Sequence, residues 1–126
     1  MTLSSVIRRL ETAIGPSREL DAAIFCAIGL TYTQERHCRE WCRMDGRTDL
    51  TRKHYLAAWA PDYTRSLDAA LTLVPEGCAF DVGCEIDFTP FARVFGHDIH
   101  ADEFAATPAL ALCLAALRAR AQQQKE

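Results

Sequence analysis

Two cysteines one helical turn apart are the residues best suited to bind a metal ion. Cys38 and Cys42 stand in a polar stretch that also contains His37, and His54 follows further along the chain. Structural zinc uses four nitrogen or sulphur ligands, which two thiolates and one or two imidazoles could provide. The spacing is looser than a CxxC motif, and no second cysteine pair of that kind follows. We therefore expect unliganded thiols, with structural zinc as the alternative.

A second set of chemically active residues is the stretch GHDIHADE, in which His97 and His100 stand among carboxylates. Histidine beside a carboxylate can act as a general base or bind a divalent ion, but an exposed acidic turn is the simpler interpretation. The chain contains no GxGxxG, Walker, GxSxG or HExxH motif. We therefore predict a protein that is not an enzyme and carries no cofactor.

Acidic residues are concentrated between residues 76 and 103, a segment with seven carboxylates and one arginine. Three of them, Asp81, Glu85 and Asp87, alternate with apolar residues and are predicted on the exposed face of a strand. Such a face could bind a basic groove of another protein and displace nucleic acid from it, with charge guiding the encounter. The alternative is an ordinary solvated strand face.

A second candidate binding surface lies within residues 31–53, where six basic residues accompany four carboxylates. Arginine and aromatic side chains are enriched where protein interfaces gain most of their affinity. We therefore predict partner contacts at Arg39, Trp41, Arg43 and Arg47. The same residues could hold phosphates and stack on a base, and a charged surface loop without a partner is the third interpretation.

Predicted helices lie on both sides of this charged segment. Apolar spacing predicts a helix over residues 3–13, capped by a serine, and a second helix that begins after Ser17 and stops at Gly29. Residues 31–53 have no clean period and include an Asp-Gly turn signal, so they are predicted as a long charged loop or a short helix plus loop. A further helix is predicted within RSLDAALTLV, ahead of a Pro-Glu-Gly turn.

The clearest local pattern runs from Cys78 to Phe88, where every even position is apolar. This alternation predicts a half-buried strand, and FARVF (Phe91–Phe95) is predicted as the return strand of a hairpin. Thr107 and Pro108 predict the start of a helix that is apolar nearly all round and forms the main element of the core.

The order of these elements predicts one α+β domain over residues 1–126. We expect a small antiparallel sheet sandwiched by helices, an α/β/α sandwich, with a frayed tail at residues 122–126. The 126 residues, 49% hydrophobic and 25% charged, are typical of one globular domain.

Charge and hydropathy exclude other classes. The net charge of −3 gives no basis for non-specific binding to nucleic acid. No apolar run approaches the roughly 20 residues that span a bilayer. The charged residues Arg8, Arg9 and Glu11 make the N-terminus unlike a secretory signal. We therefore expect a cytoplasmic protein whose six cysteines are reduced.

Four segments together resemble the phage ABA-sandwich domain family, small proteins of phages and prophages. They are GPSRELDAAI, YTRSLDAALTLVPEG (Tyr63–Gly77), the strand hairpin and ATPALALC (Ala106–Cys113). Cys78 stands where members of the family mostly carry an aromatic residue. The resemblance implies an α/β/α sandwich and a phage origin, and it implies no reaction and no catalytic residues.

The predicted function is that of a non-enzymatic phage accessory protein that acts by binding. The expected partner is a protein complex of the bacterial host, for example a nucleic-acid-binding defence effector of the CRISPR type. One alternative is a sponge or sensor for a small nucleotide signal, and another is a structural phage component or metal-binding protein. An exposed hairpin edge makes a homodimer a further expectation.

Overall fold

The computed structural model describes residues 2–45 and 49–124. The helices are α1 (Leu3–Glu11), α2 (Arg18–Ile28), α3 (Tyr32–Asp45), α4 (Asp49–Trp59), α5 (Leu67–Leu71) and α6 (Pro108–Gln124). The strands are β1 (Ala79–Cys84), β2 (Pro90–Gly96) and β3 (Ile99–Phe104). Within these described ranges, no helix has the length and apolar character needed to cross a membrane.

The predicted capping residues lie at both ends of α2 and at the start of α6. The Ser17 hydroxyl accepts from the Leu20 amide at 3.2 Å, and the Thr107 hydroxyl accepts from the Leu110 amide at 3.2 Å. α2 ends before Gly29, whose φ of 85° suits glycine. α1 is capped by Thr2 rather than by a serine, and α5 is shorter than the predicted helix.

The three strands form one antiparallel sheet in the order β1-β2-β3. The α+β class is therefore confirmed, and the small antiparallel sheet packs against helices on one face: α6 contacts the sheet, and α1 and α5 contact α6. β3 was not predicted, because its acidic residues suggested a turn. Ile99 and Ala101 are nevertheless buried alternate residues of this strand.

The middle layer of the fold is α6. It contacts the sheet on one side and α1 and α5 on the other. Its residues from Ala109 to Leu117 are all buried, which explains why the sequence is apolar nearly all round. The prediction that this helix is the main element of the core is confirmed.

Within residues 31–53, which were predicted as a long charged loop or a short helix plus loop, the structure has all of α3 and the first five residues of α4. The two helices pack against each other, and α4 also packs on α2. Cys38 of α3 and Tyr55 of α4 are almost fully buried. A narrow apolar stripe is thus enough to hold these two polar helices in place.

β1 ends at Cys84, so the predicted strand to Phe88 is too long. Ile86 and Phe88 belong to the turn between β1 and β2 and are 99% and 82% exposed. Phe88 has a φ of 67°, a left-handed conformation that is costly for a residue with a side chain. The apolar alternation therefore continues past the strand into residues that the core does not cover.

Phe88→Gly should raise the free energy of unfolding by about 0.5–1 kcal/mol, since glycine removes the left-handed strain and little burial is lost. Chemical denaturation followed by circular dichroism measures the change. Asp98→Gly is the matched control, because Asp98 has a φ of 59° in another exposed turn. Aspartate tolerates that conformation, so this gain should be smaller. A lower stability for Phe88→Gly would contradict the strain argument.

The C-terminal part of α6 is ordered against the sheet, contrary to the predicted frayed tail. The Gln122 carboxamide accepts from the His100 amide at 3.0 Å and donates to the His100 carbonyl at 2.8 Å. α6 continues to Gln124, and residues 125–126 of the predicted tail lie outside the described residues.

Candidate functional site

The surface of the sheet turned away from α6, here called the outer face, carries charged and aromatic side chains. Besides Ala79 and Gly83, strand pairing assigns to it seven charged, polar or aromatic residues: Asp81, Phe91, Arg93, Phe95, His100, Asp102 and Phe104. Their neighbours Ala92, Val94 and Ala101 are on the opposite side and are buried. Among the described helices, α6 alone contacts the sheet. The outer face is therefore open to a partner.

One row of the outer face is an ion-paired set that crosses all three strands. The register places Arg93 opposite both Asp81 and Asp102. The guanidinium donates to Asp81 Oδ2 at 2.8 Å, and its Nε lies 4.0 Å from Asp102 Oδ1. The three side chains are about half exposed, so the pairs contribute at most about 1 kcal/mol to stability. The row contains two carboxylates and one guanidinium, so its net charge is negative.

Next to this row lies a group of phenylalanines. The ring of Phe91 covers Gly83, where a Cβ atom would lie 3.1 Å from ring atoms. The ring centroids of Phe91 and Phe104 are 6.3 Å apart. Phe104 is 55% exposed, and Phe95, which lies on the other side of the Arg93 row, is 40% exposed. Exposed aromatic side chains on a rigid sheet are typical of surfaces that bind other proteins.

The β1–β2 turn, residues 85–89, joins this aromatic group. A shallow concavity of about 510 Å³ is lined by turn residues and by Phe104. Of the three acidic residues predicted on a strand face, Asp81 lies on the outer face, whereas Glu85 and Asp87 lie in the turn. Hydrogen bonds from the Thr89 side chain and backbone lower the pKa of Asp87, so this exposed carboxylate is charged at neutral pH.

The arginine and aromatic residues of α3 do not join this surface. α3 contacts α4, and in the described part of the chain neither helix contacts the sheet. Arg39 and Arg43 are exposed, but Trp41 is partly buried, with its ring centroid 5.6 Å from that of Tyr55. Arg47, also predicted to contact a partner, lies outside the described residues.

The two thiols considered for zinc lie on the inner side of α3. Cys38 Sγ and Cys42 Sγ are 4.0 Å apart, as expected for residues one helical turn apart. Arg52 of α4 donates to Cys38 Sγ at 3.6 Å and pairs with Glu35 at 2.9 Å. Burial, reinforced by Cys42, raises the pKa of Cys38, so this thiol is protonated at neutral pH without a metal.

A four-ligand zinc site has no further support within the described ranges, where no group of three potential ligands is brought together. The Nδ1 atom of His37 lies 3.0 Å from the Tyr55 hydroxyl, so one of its two ring nitrogens is engaged in a hydrogen bond. His54 is exposed. The other histidine stretch forms a tight turn and β3: His97 is 98% exposed beside Asp98, and His100 belongs to the outer face.

A concavity of about 970 Å³ between α1, α2 and α4 has basic residues at its rim. Arg18 donates to Asp21, Asp62 and the Ala57 carbonyl, so its charge is used within the fold. Arg9 lies 3.7 Å from Glu19. Two of the three cations that line the groove, Arg18 and Arg9, thus have carboxylate partners within the fold, and the third is Lys53.

Sequence reasoning did not identify Phe91, Arg93 and Phe104 as candidate binding residues. In FARVF the larger residues alternate with Ala92 and Val94, and this pattern indicates which side of the strand faces outward.

The family resemblance stays a prediction, because the chain matches no known family model, no curated protein and no solved structure.

Proposed function

We propose that the chain acts by binding another protein through its outer face and the β1–β2 turn, without catalysing a reaction. The observation that carries the proposal is that three features lie next to one another. They are partly exposed phenylalanines, a surplus of carboxylates, and the exposed apolar side chains of Ile86 and Phe88 in the turn. Interfaces gain affinity from aromatic anchors and gain rate and specificity from charge. The complementary partner surface is basic and contains an apolar cleft.

The strain at Phe88 supports the same proposal. This phenylalanine is 82% exposed and adopts a left-handed conformation. A strained residue that the core does not need indicates a functional constraint. Packing of Phe88 and Ile86 into the apolar cleft of a partner supplies that constraint.

The resemblance to phage proteins makes the proposal more specific. We propose an accessory protein that inhibits a host defence complex, such as a nucleic-acid-binding effector. The acidic segment between residues 76 and 103 would occupy the basic groove that otherwise holds nucleic acid. The phage origin rests on the resemblance alone.

Reversal of charge at Asp81, Glu85 and Asp87 should weaken such a complex by about 100-fold or more, because three like charges then face a basic groove. The partner is captured from a host lysate, identified by mass spectrometry and purified. Its affinity for the wild-type chain and for the triple lysine variant is then measured by isothermal titration calorimetry.

The matched control reverses Glu19, Glu40 and Asp68, which are exposed residues of α2, α3 and α5. This variant has the same net charge as the first and should keep most of the affinity. Equal losses in the two variants would show that only overall charge matters. Unchanged affinity in the first variant would exclude the acidic surface as the binding site.

A further inference from the structure

The paired thiols of α3 have a geometry that binding through the outer face does not use. Cys38 Sγ and Cys42 Sγ lie 4.0 Å apart without a disulfide. Metal–sulphur bonds of about 2.3 Å place two sulphurs about 3.8 Å apart at a tetrahedral angle and about 4.6 Å apart in a straight line. The observed separation therefore suits one ion held by both sulphurs with small side-chain movements.

The surroundings of the pair decide which ion is suitable. Cys38 is 1% exposed, and Tyr55 of the facing helix α4 is 2% exposed, with its ring centroid 5.6 Å from that of Trp41. No third ligand joins the pair among the described residues. The pair therefore does not provide the coordination that an ion with four protein ligands requires. Soft thiolate ligands select Cu(I), an ion that two sulphurs alone can satisfy.

We propose that Cys38 and Cys42 form a two-coordinate site for Cu(I). Binding forms two copper–sulphur bonds and breaks two S–H bonds, and both protons go to solvent. Copper stays in the +1 state and no sulphur is oxidised. The resulting dithiolate complex carries one negative charge, which is offset in part by the guanidinium of Arg52, 3.6 Å from Cys38 Sγ and also paired with Glu35.

The site is tested by offering Cu(I) to the reduced chain without oxygen, as its complex with the chelator bicinchoninate. The chain should take one Cu(I) per molecule, as read from the loss of chelator absorbance and from the native mass. The tryptophan fluorescence, which comes from Trp41 beside Cys42 and from Trp59, should fall at the same stoichiometry. Cys42→Ser should bind Cu(I) more than about 100-fold more weakly, since one of only two ligands is lost.

Cys42 is the better position for the variant because it is only partly buried, and circular dichroism establishes that the variant folds. The matched control is Cys26→Ser with Cys84→Ser, which removes two exposed thiols and should keep one tight site. Equal uptake by the wild type and Cys42→Ser would overturn the proposal. So would the absence of uptake, or retention of one Zn²⁺ per chain in place of Cu(I).

Discussion

Asp21→Ala should lower the free energy of unfolding by about 2–4 kcal/mol, because hydrogen bonds to a buried carboxylate are lost and a buried amide is left without an acceptor. The carboxylate is 1% exposed. Its Oδ1 atom accepts from the amide and the hydroxyl of Thr64, both at 2.8 Å, and its Oδ2 accepts from Arg18 at 3.2 Å. Without it, the buried Thr64 amide loses its acceptor, and Arg18 loses one of its carboxylates.

The hydrogen-bond network of Asp21 links the start of α2 to the segment before α5. Thr64 also accepts from the Ser17 amide at 2.9 Å, so one threonine bonds both the cap of α2 and Asp21. Urea denaturation measures the loss. Asp62→Ala is the control, because Asp62 bonds the same Arg18 at 2.9 Å but is 56% exposed. It should cost less than about 1 kcal/mol. Similar losses in both variants would refute a special role for the buried carboxylate.

Leu112→Ala should destabilise the fold by about 2–5 kcal/mol, because the truncation leaves a cavity inside the central helix layer. Leu112 is 0% exposed and lies in α6, which packs on the sheet and on other helices at once. Its surroundings are therefore held on several sides and can close the cavity only in part. Thermal and urea unfolding measure the effect.

The control for this truncation is Leu67→Ala in α5, where the leucine is 40% exposed. The same change in side chain should there cost about 1 kcal/mol or less, since less apolar area leaves water. The dependence of the free energy on urea should be unchanged in both variants. A loss at Leu112 no larger than that at Leu67 would contradict the central position of α6.

Local chemistry explains what the sequence could predict. Ser17 and Thr107 cap helices through bonds that span three residues, and Gly29 ends a helix through its own backbone angle. Each of these signals depends only on residues within about one helical turn of one another. The apolar character of α6 likewise required no knowledge of its neighbours.

Long-range packing explains what the sequence could not predict. The many charged residues of α3 and α4 gave no clear helical pattern of apolar residues. Cys38, Trp41 and Cys42 nevertheless have helical spacing, and they form the buried or half-buried side of α3. The acids of β3 similarly suggested a turn, although Ile99 and Ala101 alternate. In both cases a few buried residues outweigh a polar composition, because tertiary contacts decide marginal elements.

The candidate site depends still more on long-range pairing. Arg93 meets Asp81 and Asp102 only because β2 lies between β1 and β3 in this register. A shift of one residue would turn Arg93 towards α6. The sequence predicted an acidic surface, but the arginine and phenylalanines that complete it are brought together by the sheet.

The contact between Gln122 and β3 determines how the sheet can grow. A sheet with two open edges can add strands without limit, which is the route to fibres. Here the carboxamide of Gln122 takes the place of a neighbouring strand at His100, whereas β1, at the other edge, carries mostly exposed residues. Strand addition along β3 is therefore obstructed at His100, because a new strand would have to displace the Gln122 carboxamide from both backbone groups of that residue.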